Sequence, residues 1–211
     1  MNNYSKRQIK IDEYETVRQL DSDAFGYDER GSDREFHRIF ADNIRRSPYF
    51  IPELDLVAVT NQGFILGHGI FSALPMGDAA NHVVWLNSLA VRHGEKDNHA
   101  EKKYEYQRKG FGTAIVKHGL EVAKSLGFTA CMTCGHPAVY QKKMGFKNYR
   151  ELGIKKDDSV EDPDECIFAV ELAPAGFDCT NRLLSYLYYD FLKAENNGGV
   201  GYEAIYKVSK I

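Results

Sequence analysis

Gln107-Arg108-Lys109-Gly110-Phe111-Gly112-Thr113 is the stretch on which the fold turns. It opens a segment in which Ile115, Gly119, Val122 and Leu126 keep helical spacing, with Gly127 just past its end as a C′ glycine. A glycine turn ahead of a helix lets backbone amides approach an anion closely, and the helix N-terminus adds a favourable dipole. Two familiar phosphate motifs fail here. A dinucleotide fingerprint needs a third glycine where Ile115 stands. A nucleoside-triphosphate loop needs Lys-Ser or Lys-Thr after its last glycine, where this chain has Thr113-Ala114. The turn is then either a phosphate cradle of another kind, flanked by Arg108 and Lys109, or simply a tight turn.

On the N-terminal side of the turn lie three apolar runs, residues 54–59, 64–74 and 82–91. Asn61-Gln62-Gly63 and Met76-Gly77-Asp78 separate them as hairpin turns. Further upstream, Gln8 to Tyr14 is a strand candidate, and Val17, Leu20 and Ala24 mark one face of a first helix. Ser32-Asp33-Arg34-Glu35 is a capping box opening a second helix, with Phe36, Ile39, Phe40 and Ile44 on its buried side and Pro48 and Pro52 ending the stretch. On the C-terminal side, residues 128–134 read as a buried strand, Pro137 to Gly145 as a short helix, and Cys166 to Leu172 as a last strand. The order is strand, two helices, three meandering strands, helix, strand, helix, strand. It predicts an α/β (mixed α+β) fold, a central mixed sheet with helices on both faces.

Composition narrows the function. The 211 residues carry 27 Lys plus Arg against 30 Asp plus Glu, a net charge of -3, which offers no basic footprint for nucleic acid. No apolar run is long enough to span a membrane, and the N-terminus lacks the apolar core of a secretory signal, so a cytoplasmic protein is expected. Cys131 and Cys134 have CxxC spacing, but residues three apart on a strand point to opposite faces, so no metal site is expected.

The pattern Gln107-x-x-Gly110-x-Gly112 after a strand ending Leu89-Ala90-Val91 resembles the acyl-CoA motif of the GNAT superfamily of N-acetyltransferases. Pro52-Glu53-Leu54 with the following apolar run, and Gly67-His68-Gly69-Ile70-Phe71-Ser72, look like the entry strands of one bacterial branch of that superfamily. Gly135-His136-Pro137-Ala138-Val139-Tyr140, followed by Met144-Gly145-Phe146, resembles its last helix and turn, and residues 166–174 its closing strand. The resemblance spans roughly residues 7–175, implying a domain over 1–175 and an extension over 176–211. It implies acetyl-CoA as co-substrate, with the pyrophosphate held by Gln107, Arg108, Lys109, Gly110, Phe111, Gly112 and Thr113. The pantetheine arm would pair with Leu89, Ala90 and Val91, one amide there polarising the thioester carbonyl. It also implies Tyr140 as the acid that protonates the departing thiolate. The acceptor would be a small-molecule or peptide amine.

Two departures from the family pattern stand out. Residues 92–106 are longer than the usual connection, either a lid or a solvated insertion, and the helix from Pro137 carries one residue more before Gly145. Asn87 and Ser88 occupy the region where a basic carboxylate is often found; Glu53 and His136 are available instead, with a capping or packing role favoured for His136, and no base is assigned. In the extension, Leu183, Leu184, Leu187, Tyr188, Phe191 and Leu192 share one helical face, and residues 202–208 alternate like a strand. That face either packs back on its own domain or serves a homodimer. Two rival readings stay open: a non-catalytic acyl-CoA-binding or sensing module, and an interaction protein acting through the aromatic tail.

Overall fold

A computed structural model of the chain describes residues 4–25, 34–76, 82–93, 106–178 and 180–185. Strand β1 (Tyr4–Gln8) ends where Arg7 meets the Glu13 carboxylate at 2.6 Å, and Glu13 in turn accepts the Lys10 amide at 2.9 Å. This capping arrangement starts a 3-10 turn over Ile11–Glu13 that runs into α1 (Tyr14–Phe25). The predicted strand over Gln8 to Tyr14 is therefore displaced: β1 lies earlier, because the Lys10–Glu13 box nucleates helix where alternation suggested strand.

Helix α2 (Arg34–Arg46) buries Phe36, Phe40 and Ile44 as its spacing predicted, while Ile39, expected on the same side, is half-buried. The capping box at Ser32 falls largely outside the described residues. Strands β2 (Phe50–Thr60), β3 (Ile65–Ala73) and β4 (Val83–Val91) form an antiparallel meander, followed by α3 (Phe111–Ser125), β5 (Ala130–Cys134) and α4 (Pro137–Met144). Pro52 does not end a segment; it lies inside β2, in the gap between Phe50 and Asp55 where the β2–β3 register shifts, a position that needs no ladder hydrogen bond from it. Leu126, expected on the buried face of α3, is 45% exposed, and Ala123 faces the core instead.

Short β6 (Lys147–Asn148) and β7 (Lys155–Lys156) precede β8 (Ile167–Glu171). The main sheet has seven strands in the order β1-β2-β3-β4-β5-β8-β6, antiparallel throughout except for the parallel β4–β5 pair. Alternation along β4 separates two faces. Val84 and Leu86 pack with Leu56, Phe71, Ile115 and Phe168 on the α3 face. Val83 and Trp85 pack with Phe36, Phe40, Ile44 and Met132 on the α2 face, while Ala90 joins Val17, Leu20 and Val57 under α1.

The chain then returns along the α2 face. Phe177 and Leu184 are fully buried in that core, and β9 (Leu183–Leu184) pairs in parallel with β7. Leu183 and Leu184 thus belong to a strand rather than to the predicted helical face, because they follow the β7 edge; the remainder of that face and the alternating run 202–208 lie outside the described residues. Among the described residues no helix is long and apolar enough to cross a membrane.

Candidate functional site

The parallel pairing of β4 with β5 runs from Val83↔Ala130 only to Leu86↔Thr133, whereas β4 stays paired with β3 as far as Gly67↔Val91. Beyond Leu86 the two central strands part. The register of β3 and β4 slips at the same point, Ile70 facing Ser88 and Phe71 facing Leu86, so Asn87 is a bulge. Its side-chain amide donates to Ser72 Oγ at 2.9 Å and to the Trp85 carbonyl at 3.0 Å, which holds the bulge on the α2 face.

Past the bulge, backbone direction can be read from one hydrogen bond. The Arg92 amide donates to the Leu66 carbonyl at 2.9 Å, so in an antiparallel ladder Ala90 and Ser88 also turn their backbone groups to β3. Leu89 and Val91 turn theirs to the side that β5 has left. Of the three β4 residues singled out by sequence, two thus turn to the gap backbone groups that no strand pairs among the described residues, while Ala90 sits between them with its methyl under α1.

The glycine turn stands beside this gap. A methyl group on Gly112 would lie 3.4 Å from Val91 Cγ2 and 3.5 Å from Leu89 Cδ2, ordinary packing distances. The fold alone therefore does not require glycine at 112. Gly110, at φ +92°, caps α3 in a left-handed conformation and has no side chain to accept from the first amides of the helix. Arg108 is left-handed too, at φ +58°. Phe111 turns its ring inward, edge-on to Tyr4 at 4.9 Å, so only its backbone faces outward with Gly112 and Thr113. The exposed Arg108 and Lys109 add positive charge at the helix N-terminus. Together these groups suit an extended anion lying across the turn, with an amide-bearing arm running into the gap. Gln107 uses its side-chain amide differently, meeting His93 Nε2 at 3.0 Å. Phe64 is packed by Arg92 on one side and Tyr106 on the other, at 4.6 Å and 5.8 Å. Both ends of the 92–106 connection are thereby drawn together, while its middle lies outside the described residues.

Tyr140 comes to the apex of the gap. Its ring stacks on Phe168 and meets Phe146 edge-on, with centroids at 6.1 and 5.7 Å. Gly135 packs against it, where a methyl group would stand 2.3 Å from Cε2. Burial pushes the Tyr140 phenol up to about 12. Tyr140 thus stays protonated through the neutral range. Of the two candidate bases, Glu53 is exposed on β2, and His136 caps α4, its Nδ1 accepting the Ala138 amide at 3.1 Å. Cys131 packs on the α3 face and Cys134 against the α2 face, where its thiol donates to Asp162 at 3.0 Å. Among the described residues no three acidic, histidine or cysteine side chains converge as a metal site.

Sequence reading missed a buried ionic chain on the opposite face. His68 of β3, fully buried, donates from Nδ1 to Asp21 of α1 at 2.9 Å and from Nε2 to Asp55 of β2 at 2.9 Å. Asp55 also takes Arg45 of α2 at 2.7 Å; Arg45 reaches Asp42 at 2.8 Å, and Asp42 takes Arg18 at 2.5 Å. Burial alone would push the His68 imidazole down, but the two carboxylates outweigh it and raise it to about 9. Against the cost of its own burial, Asp55 is held below the ordinary carboxylate range by His68 and Arg45. The only local signal was His68 and Asp55 inside otherwise apolar strands.

Set against known proteins, residues 14–146 match the family model described as "Acetyltransferase (GNAT) family". No curated protein matches the sequence. A GNAT family N-acetyltransferase from Escherichia coli (YhbS), solved with CoA, superposes with a TM-score of 0.70 at 18% identity, covering 90% of this chain and 93% of the other. A GNAT family acetyltransferase from Brucella melitensis, solved with acetyl-CoA, gives a TM-score of 0.60 at 21% identity, over 84% of this chain and 100% of the other. The PaiA N-acetyltransferase from Thermoplasma acidophilum, solved with coenzyme A, gives 0.52 at 19%, over 80% and 98%.

Proposed function

The chain belongs to the GNAT acetyltransferase family, and from that premise we propose that it transfers an acetyl group from acetyl-CoA to a primary amine by direct attack, with both substrates held at once. The observation that carries this reading is the gap that opens between β4 and β5 beyond Leu86, beside the N-terminus of α3, whose first amides take no side-chain cap. Similar folds have been solved with CoA or acetyl-CoA, which supports acetyl-CoA as co-substrate here.

Acetyl-CoA supplies an acetyl group activated as a thioester. The amides of Phe111, Gly112 and Thr113 receive the pyrophosphate at the positive end of α3, with Arg108 and Lys109 beside it. Leu89 and Val91 pair with the amides of the pantetheine arm. One of those backbone N–H groups also polarises the carbonyl where negative charge develops. The neutral amine nitrogen bonds to the acetyl carbon, the carbon–sulfur bond breaks, and Tyr140 gives its proton to the sulfur; the new amide nitrogen sheds one proton to solvent, and solvent returns one to Tyr140. The acceptor is an amine of a small molecule or a peptide. The C-terminal extension is proposed to pack back on the domain, supported by the burial of Phe177 and Leu184 in its core.

The test is thiol release from acetyl-CoA across a panel of primary amines. Tyr140→Phe should lower kcat about 100-fold, within the range general acids contribute, with acetyl-CoA affinity nearly unchanged. Tight acetyl-CoA binding with no amine-dependent thiol release would favour a non-catalytic acyl-CoA-binding module instead.

A further inference from the structure

Gln107 opens the glycine-turn motif, yet its side chain is engaged within the chain itself. Its Nε2 stands 3.0 Å from His93 Nε2. Gln107 directly follows the 92–106 connection and His93 lies at its start, so this contact ties the end of β4 to the beginning of the turn. His93 Nε2 also lies 3.4 Å from the Ala24 carbonyl in the last turn of α1. Beside it Arg92 is fixed twice to β3, its amide donating to the Leu66 carbonyl at 2.9 Å and its Nε to the Ile65 carbonyl at 2.8 Å. The imidazole is thus set between α1 and the turn, on backbone that β3 holds in place.

We propose that His93 is a positioning residue of the glycine turn, acting through Gln107 to hold Arg108, Lys109 and Gly110 where the pyrophosphate of acetyl-CoA meets them. The inference rests on the acetyl-CoA reading given above. Arg108, Lys109 and Gly110 are exposed, and among the described residues nothing lies within 4 Å of where a Cβ on Gly110 would stand. Two of the three are left-handed, Arg108 at φ +58° and Gly110 at φ +92°. A residue other than glycine keeps that conformation only where its surroundings impose it. At the far end of the turn Phe111 is one anchor, its buried ring set edge-on to Tyr4. At the near end the Gln107–His93 bond is the polar counterpart, with Tyr106 against Phe64 beside it.

This bond survives a change of tautomer. When Nδ1 carries the imidazole proton, Nε2 accepts from the Gln107 amide N–H. When Nε2 carries it, the amide turns over and its oxygen accepts. Ordering an exposed turn before the ligand arrives removes that cost from binding. The benefit falls on affinity for a ligand lying across the turn, and the acyl-transfer step at Tyr140 does not draw on it.

Calorimetric titration of the full chain with acetyl-CoA tests this, using His93→Phe, Gln107→Leu, the double variant His93→Phe/Gln107→Leu and His93→Gln. His93→Phe should weaken acetyl-CoA binding about tenfold, while kcat at saturating acetyl-CoA, with the fastest amine of the panel, stays within about twofold. Gln107→Leu should cost as much, and the double variant no more than either single one, because all three break the same bond. His93→Gln, whose amide can still bond Gln107, should bring affinity back to within about threefold of the native chain. His93→Leu replaces the phenylalanine variant if the latter fails to fold. Unchanged affinity of His93→Phe beside a weakened Gln107→Leu would mean that Gln107 serves the ligand directly, and would overturn the proposal. So would losses that multiply to about a hundredfold in the double variant. A His93→Gln chain no better than His93→Phe would overturn it too. A native chain that does not bind acetyl-CoA would remove the cradle reading itself, and the role of His93 with it.

Discussion

The two faces of the central sheet solve opposite problems. On the α3 face, the cleft is made of backbone: the outward groups of Leu89 and Val91, and helix amides at Phe111 to Thr113 that no side chain caps. On the α1 face, the sheet buries charge: His68 between Asp21 and Asp55, continued through Arg45 and Asp42 to Arg18. The first face keeps polar groups unpaired for a ligand. The second pairs every charge in that chain internally and binds two helices to the sheet. Ligand binding and fold stability are thus assigned to separate faces, and substitutions should separate them.

The largest effect should come from Asp55→Asn, which leaves His68 and Arg45 facing a neutral group in a buried setting. Removing one partner of a buried pair typically costs about 3–5 kcal/mol, so chemical denaturation should show a loss of that order. The molecules that remain folded should bind acetyl-CoA with unchanged affinity. A weakened affinity would mean that the two faces are coupled.

His68 gives the same face a pH signature. Its folded value, about 9, lies above the ordinary 6.5, so its stabilisation is complete below about pH 6.5 and is lost as pH rises through about 9. Asp21 and Asp55 face the imidazole directly, and Arg45 lies behind Asp55. Unfolding free energy measured from pH 6 to pH 10 should fall across this window in the native chain. Most of that slope should be missing in His68→Gln; an equal slope in both would remove His68 from the account.

A smaller and opposite effect is expected at Gly112→Ala. The added methyl meets Val91 and Leu89 at ordinary distances, so stability should change by less than about 1 kcal/mol. It would occupy the space beside the helix amides, so acetyl-CoA affinity should fall about tenfold, or about 1.4 kcal/mol, by calorimetric titration. Unchanged affinity would show that the ligand does not approach at this point.

The same division explains what could be read from the chain. The glycine turn, the helix it opens, the three meandering strands and the α4 cap are local patterns, and their order and most of their bounds follow from spacing alone. Tyr140 and the β4 end are singled out by the family resemblance, which rests on contiguous motifs, and not by spacing. The ionic chain is not local: its residues come from α1, α2, β2 and β3, and each looks ordinary in its own segment. Pro52 misled because a register shift between Phe50 and Asp55 lets a strand pass through a proline. Leu183 and Leu184 misled because two residues on the β7 edge obey a tertiary partner rather than their helical spacing.

The central claim is that the gap beside the glycine turn receives acetyl-CoA, and thermal unfolding with acetyl-CoA, adenosine diphosphate or NAD tests it most directly. At 100 times its dissociation constant, acetyl-CoA should add about 2.7 kcal/mol of stability. For a chain of this size that is a rise of roughly 5–10 °C, absent with the other two nucleotides. No shift at millimolar acetyl-CoA, or an equal shift with all three, would contradict the account.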